Sequence, residues 1–96
     1  MIQSFKCRET EKIFNGLISK KFPVKIQVRV FNKLSAIHAS NTLSDLKAPP
    51  SNHLEKLAGD RAGQYSIRIN DQYRICFKWQ KNNANDVEII DYHKGR

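Results

Sequence analysis

The chain carries Asp91-Tyr92-His93 near its end, a carboxylate, a phenol and an imidazole in successive positions, followed by Lys94 and Arg96. An imidazole titrates near pH ~6.5 without tuning, so this triplet has the parts for acid–base chemistry at neutral pH. A lone histidine at such a place also reads as an ordinary surface residue, and spacing alone leaves both readings standing. A second cluster comes from alternation. In 65–69 and 73–79, Tyr65, Ile67, Ile69, Tyr73, Ile75, Phe77 and Trp79 take one side of a sheet, the apolar side, so those aromatics are expected in the core. Ser66, Arg68, Arg74, Cys76 and Lys78 share the other. Three cations on one strand face repel one another unless an anion or water covers them, so this is either a phosphate cradle or a solvated face.

Other chemistries find little support. His38, His53 and His93 have no metal-ligand spacing, and there is neither a P-loop nor a Gly-x-Ser-x-Gly turn. No metal and no cofactor are expected. Cys7 and Cys76 form no Cys-x-x-Cys pair and are expected as reduced thiols of a cytoplasmic protein. No apolar run approaches the ~20 residues of a membrane span, and the first residues lack a signal-peptide core.

The elements that must position these groups fit within 96 residues, which we expect to form one domain, 1–96. Lys and Arg number 17 against 9 acids, a formal charge of +8, which attracts polyanions; solubility alone also accounts for a charge of this size. Ile2 and Phe5 suggest a short first strand. Residues 9–18 place Ile13, Phe14, Leu17 and Ile18 at helical spacing. After Pro23, Val24, Val28, Phe31, Leu34 and His38 follow a helical stripe flanked by Ile26, Val30 and Ile37, and His38 is expected at the helix edge in a structural role. Both apolar helix faces are assigned to the core, leaving no spare apolar patch. Thr42 and Asp45 resemble a capped turn, Asn70-Asp71 a hairpin turn, and residues 82–86 a further turn before a strand from Val87. The expected fold is α+β: two N-terminal helices on one face of a small twisted antiparallel sheet.

Three segments together carry a resemblance. Gly59-Asp60-Arg61-Ala62-Gly63-Gln64-Tyr65-Ser66-Ile67-Arg68, then Tyr73-Arg74-Ile75-Cys76-Phe77, then Asp91-Tyr92-His93 resemble HigB-type toxins of the RelE/ParE superfamily, and Leu54-Glu55-Lys56-Leu57 before the Gly-Asp turn is nearer to the GraT-like branch. The resemblance spans nearly the whole chain. It implies a toxin of a type II toxin–antitoxin pair that cleaves mRNA on the ribosome without a metal, by attack of the ribose 2′-OH to leave a 2′,3′-cyclic phosphate. It also implies a helix-turn-helix antitoxin of the HigA type, with operator DNA bound only through that partner, and no membrane. Carried over by position, His93 is general acid or base and Arg74 stabilises the phosphorane. Asp91 orients or relays a proton, and Tyr92 packs on a base or donates a hydrogen bond. Arg61, Arg68 and Lys78 are candidates for positioning RNA. Glu55 stands where some relatives have a second histidine, so it is either a substitute base or a salt-bridge partner of Arg74, and a weak toxin is expected; were 53–57 a strand, His53 would share the side of Glu55. The alternatives are a translation inhibitor that binds ribosomes or RNA without cutting, and behind it a gyrase inhibitor of the ParE type.

Overall fold

Where the chain can stay helical decides its first half. The computed structural model describes residues 1–92, and α1 runs only over Arg8–Phe14. Gly16 takes φ +83°, its N–H bonds to the Ile13 carbonyl (3.0 Å), and the Leu17 N–H bonds to that of Lys12 (2.9 Å). This is a Schellman end with glycine at the left-handed position, so the helix expected over 9–18 stops early. The loop beyond is clamped from α2 (Val24–Ala39): buried Gln27 donates to the carbonyls of Ser19 (2.6 Å) and Phe22 (2.9 Å) and accepts from the Ser19 N–H (2.9 Å). The Ser19 hydroxyl donates to Glu9 (2.7 Å), which helps hold that carboxyl below its usual range. Leu17 and Ile18 are left pointing outward.

That clamp also selects which face of α2 is inside. Ile26, Gln27, Val30, Leu34 and Ile37 are buried, so the residues expected to flank the stripe form the core together with Leu34. Val24, Val28 and Phe31 face out, with Val28 73% exposed. Two apolar stripes on one helix have the same period, and only the neighbours decide between them. His38 is structural as expected: its Nδ1 accepts the Ile2 N–H (3.2 Å) and its ring lies 5.3 Å from Phe14.

Four strands follow in the order β1-β2-β3-β4, each antiparallel to the next: β1 (Glu55–Lys56), β2 (Gln64–Arg68), β3 (Tyr73–Gln80) and β4 (Asn83–Asp91). Ile67, Ile75, Phe77, Val87 and Ile89 pack toward the helices, each buried side chain of this kind contributing about 1.5–3 kcal/mol. Tyr73 and Phe77 are in that core and Tyr65 and Trp79 pack against it. The expected α+β architecture is thus present, with two further local corrections. Ile2 and Phe5 form only single parallel bridges, to Ala84 and Val87, rather than a strand. The polar run 82–86 is not a turn: Lys81 and Asn82, both left-handed (φ 51° and 61°), make the tight β3–β4 turn, and Asp86 (φ 52°) sits at a bulge within β4. Asn and Asp tolerate that conformation, so both features draw on the same residue types. Asn70 does turn the β2–β3 hairpin, its side chain accepting the N–H groups of Gln72 and Tyr73 (both 2.8 Å). Thr42 and Asp45 form a capping box at a 3-10 turn over Leu43–Lys47. No helix among the described residues is long and apolar enough to cross a membrane.

Candidate active site

Register brings the predicted site residues to one face. Glu55 pairs with Ser66, Ser66 with Cys76, Arg68 with Arg74, Gln64 with Lys78, and Arg74 with Ile90, so all of these stand on the side of the sheet away from the helices. Arg74 is central and only 6% exposed. Its Nε donates to the Ser66 hydroxyl (2.8 Å), and its Nη2 donates to the carbonyls of His53 (2.5 Å) and Ser66 (3.4 Å). Burying a guanidinium is tolerable only when its donors are satisfied in this way. The bonds fix its plane through Nε and Nη2, and Nη1 takes part in none of them.

Glu55 Oε2 lies 4.0 Å from Arg74 Nη2 and its side chain is half exposed, the geometry of a loose ion pair. His53 is not on a strand beside Glu55. It takes φ +44° after the Pro50–Asn52 turn, and what it brings to Arg74 is its backbone carbonyl. At the far strand end the Tyr92 ring centroid stands 5.7 Å from Arg74 Cζ, and the Tyr92 N–H bonds to the Gln72 carbonyl (2.6 Å). Asp91 pairs in register with Tyr73, hence with the helical face, and accepts from Gln72 Nε2 (3.0 Å). It therefore borders the cleft at the strand end instead of standing on the Arg74 face. His93 lies outside the described residues.

Each of the three RNA-positioning candidates has a carboxylate beside it. Arg61 Nη1 donates to Glu88 (3.2 Å) and Gln64 (3.1 Å), Lys78 stands 3.3 Å from Asp86, and Arg68 pairs with Asp71. Lys6 is 3.6 Å from the same Glu88 oxygen. The Lys78–Asp86 and Arg68–Asp71 pairs reach solvent and are weak, so a phosphate can replace their carboxylates, while Glu88 is largely buried. Sequence reading did not single out Ser66 as the anchor of Arg74, nor Glu88. The alternation that put Ser66 on the cationic face was the available signal. Cys76, on the same face, is buried and its thiol is pushed up to about 11 by that burial, which makes it a poor nucleophile at neutral pH.

The helical layer holds a second feature that corrects the expectation of no spare apolar patch. Gly16, Leu17, Ile18, Val28 and Phe31 line a groove of about 270 Å³ floored by Ile13 and Gln27. Ile18 is 73% exposed. The short α1 and the rotated α2 leave these residues outside, and apolar surface gathered in one place marks an interaction site.

Comparison with known proteins gives these observations a context. The family of RelE-like HigB toxins of type II toxin–antitoxin systems matches residues 3–93. Toxin HigB-1 of Vibrio cholerae serotype O1 is 40% identical over 72 residues, 75% of this chain and 75% of its own. Endoribonuclease HigB of Proteus vulgaris is 29% identical over 93 residues, 97% of this chain and 100% of its own. Among solved structures, YoeB–YefM toxin–antitoxin complexes from Staphylococcus aureus share the fold. One, a heterotetramer, gives a TM-score of 0.60 at 21% identity, covering 97% of this chain and 98% of the matched chain.

Proposed function

The chain belongs to the RelE-like HigB toxins of type II toxin–antitoxin systems, and we propose that it acts as a ribosome-dependent mRNA endoribonuclease in the cytoplasm. The observation that carries the reading is Arg74, a buried guanidinium anchored on the open sheet face with Tyr92 beside it and His93 next in the chain. The name of the Proteus vulgaris relative supports the same activity.

In this reaction a base takes the proton of a ribose 2′-OH as its oxygen bonds to the adjacent phosphorus. The bond to the 5′-oxygen breaks, an acid supplies that oxygen with a proton, and a 2′,3′-cyclic phosphate and a 5′-hydroxyl remain. Arg74 supplies the fixed positive charge for the extra charge on the phosphorane, through an N–H already oriented before substrate arrives. His93 is the proton-transferring group, Asp91 its orienter or relay, and Tyr92 packs on a base or donates a hydrogen bond. Glu55, at 4.0 Å, serves as counter-ion to Arg74 until phosphate displaces it; this geometry favours that role over a second base. Arg61, Arg68 and Lys78 exchange carboxylates for RNA phosphates.

The partner is an antitoxin, of the helix-turn-helix HigA type in our reading. Its docking surface is the apolar groove. Lys20 and Lys21 follow it directly and Lys25 stands one turn from Val28, all exposed. A groove apolar within and lysine-rimmed suits an acidic amphipathic segment, whereas a second copy of a +8 chain brings lysines against lysines.

Primer extension on mRNA translated in vitro tests the activity. Cuts that require ribosomes and disappear in His93→Ala are expected, a loss of about 10²–10⁴ in rate. Falling translation with no new 5′ ends, undiminished in His93→Ala, would leave a ribosome-binding inhibitor instead.

A further inference from the structure

A polar cavity opens beside the end of β2. It measures about 350 Å³ and is lined by Arg29 and Lys33 of α2, Ser51 of the Pro50–Asn52 turn, and Arg68 and Ile69. Arg29 and Lys33 are one helical turn apart, a like-charge spacing that costs a few tenths of a kcal/mol on an open helix. The fold holds these cations in place. Arg29 Nη1 donates to the Ile69 carbonyl (3.1 Å), and Lys33 Nζ donates to the side-chain oxygen of Asn52. Asn52 is 1% exposed and is itself fixed, donating to the carbonyls of Leu46 and Ala48 (both 3.1 Å). Partial burial and then the neighbouring Arg29 push the Lys33 ammonium below its usual range, so the arrangement opposes its own charge. Asp71, paired with Arg68, has a side chain 92% exposed and stands in water.

Guanidinium groups carry five N–H donors and an ammonium three, so one bond each to the described residues leaves most of their capacity for a ligand. Preorganised donors of this kind match the oxygens of a phosphate. Among the described residues no aromatic ring lines the cavity, so they offer no platform for a base. Arg68 is the register partner of Arg74, which sets the cavity next to the cleft across the β2–β3 ladder.

We propose that this cavity is a second phosphate site, which holds a backbone phosphate of RNA on Arg29, Lys33 and Arg68 while another phosphate of RNA lies at Arg74. This rests on the RNA-cleaving reading above and adds to it a contact that sets register without reading sequence. The phosphate belongs either to the message or to ribosomal RNA.

Equilibrium titrations against salt separate these sources, with a 12-nucleotide single-stranded RNA in one arm and 70S ribosomes without message in the other. For Arg29→Gln/Lys33→Gln, the slope of log K on log salt is expected to shrink by about 0.7, the value of one phosphate contact on a single strand, while Lys33→Arg retains it. The change on the oligonucleotide assigns the message; the change on ribosomes alone assigns ribosomal RNA. A parallel arm needs no variant. Oligonucleotides with one neutral methylphosphonate linkage, moved position by position, should weaken binding to the wild-type chain at a position outside the Arg74 contact, and a positional profile there would support the proposal even if the double variant failed to fold. Wild-type binding to RNA or ribosomes with a variant slope unchanged in both arms overturns the cavity and leaves the endonuclease standing, and a bound oligonucleotide with no second sensitive linkage overturns the message as its source. A wild-type chain that binds neither probe overturns both.

Discussion

The groove on the helical layer and the cationic face of the sheet are separated by the sheet itself, and each leaves side chains where an isolated fold gains little from them. They differ in how firmly those side chains are held. Arg74 on the sheet face is buried and bonded to Ser66 and His53, so its orientation is set before any substrate arrives. Leu17, Ile18, Val28 and Phe31 in the groove are exposed apolar groups, which gain only when a partner removes them from water. A preorganised charge serves a reaction, where the transition state allows no time for rearrangement; an exposed apolar surface serves association. On the proposed reading, one small fold keeps catalysis and antitoxin binding on different faces, so that a substitution should damage one and spare the other.

The largest effect should come from the sheet face. Arg74→Lys keeps the charge but loses the planar fork, and cleavage on ribosomes should fall by about 10²–10³ while antitoxin affinity holds. Single-turnover primer extension alongside calorimetry with the antitoxin checks both halves, and a parallel loss of antitoxin binding would break the separation. On the other face, Val28→Asp should weaken antitoxin binding by about 10–100-fold with stability changed by about 0.5 kcal/mol or less, since that side chain is 73% exposed. Unaltered affinity would remove the groove from the interface.

Smaller effects sharpen the contrast between held and open positions. Cys76 should resist iodoacetamide at pH 8 in the folded protein, because burial favours its protonated thiol and moves it from an ordinary value of 9.0 to about 11. The stability this contributes is full below the unfolded value and is lost as pH rises toward the folded one. Mass spectrometry of labelled peptides before and after denaturation reads the difference. The least effect is expected from Asp45→Asn, outside both surfaces. N–H bonds from Thr42 and Asn41 hold that carboxyl below its ordinary 3.8, so it stabilises the fold when ionised. Thermal melts should separate variant from wild type at pH 7 and converge as pH falls below that range.

Much of this was legible in the chain. Strict alternation in 65–69 and 73–79 assigned Arg68, Arg74 and Lys78 to one face, because a strand has only two sides. The helix errors have a common cause. Asn15-Gly16 carried a stop signal that apolar spacing overrode, and α2 offered two stripes of equal period. Arg29 and Lys33 carry no such mark in the sequence, since nothing local announces that Asn52, buried by a distant turn, will hold one of them.

By itself, then, the amino-acid order determined the strand alternation, the capped and hairpin turns, the excess of positive charge and the presence of Asp91-Tyr92-His93, since these depend on neighbours within a few positions. Tertiary structure alone decided that Ser66 and the carbonyl of His53 would anchor Arg74, that Asp91 would border the cleft while Tyr92 leaned over it, and that an apolar stripe of α2 would remain outside. Each of those outcomes depends on which surfaces bury each other, and that is settled by packing between segments far apart in the chain.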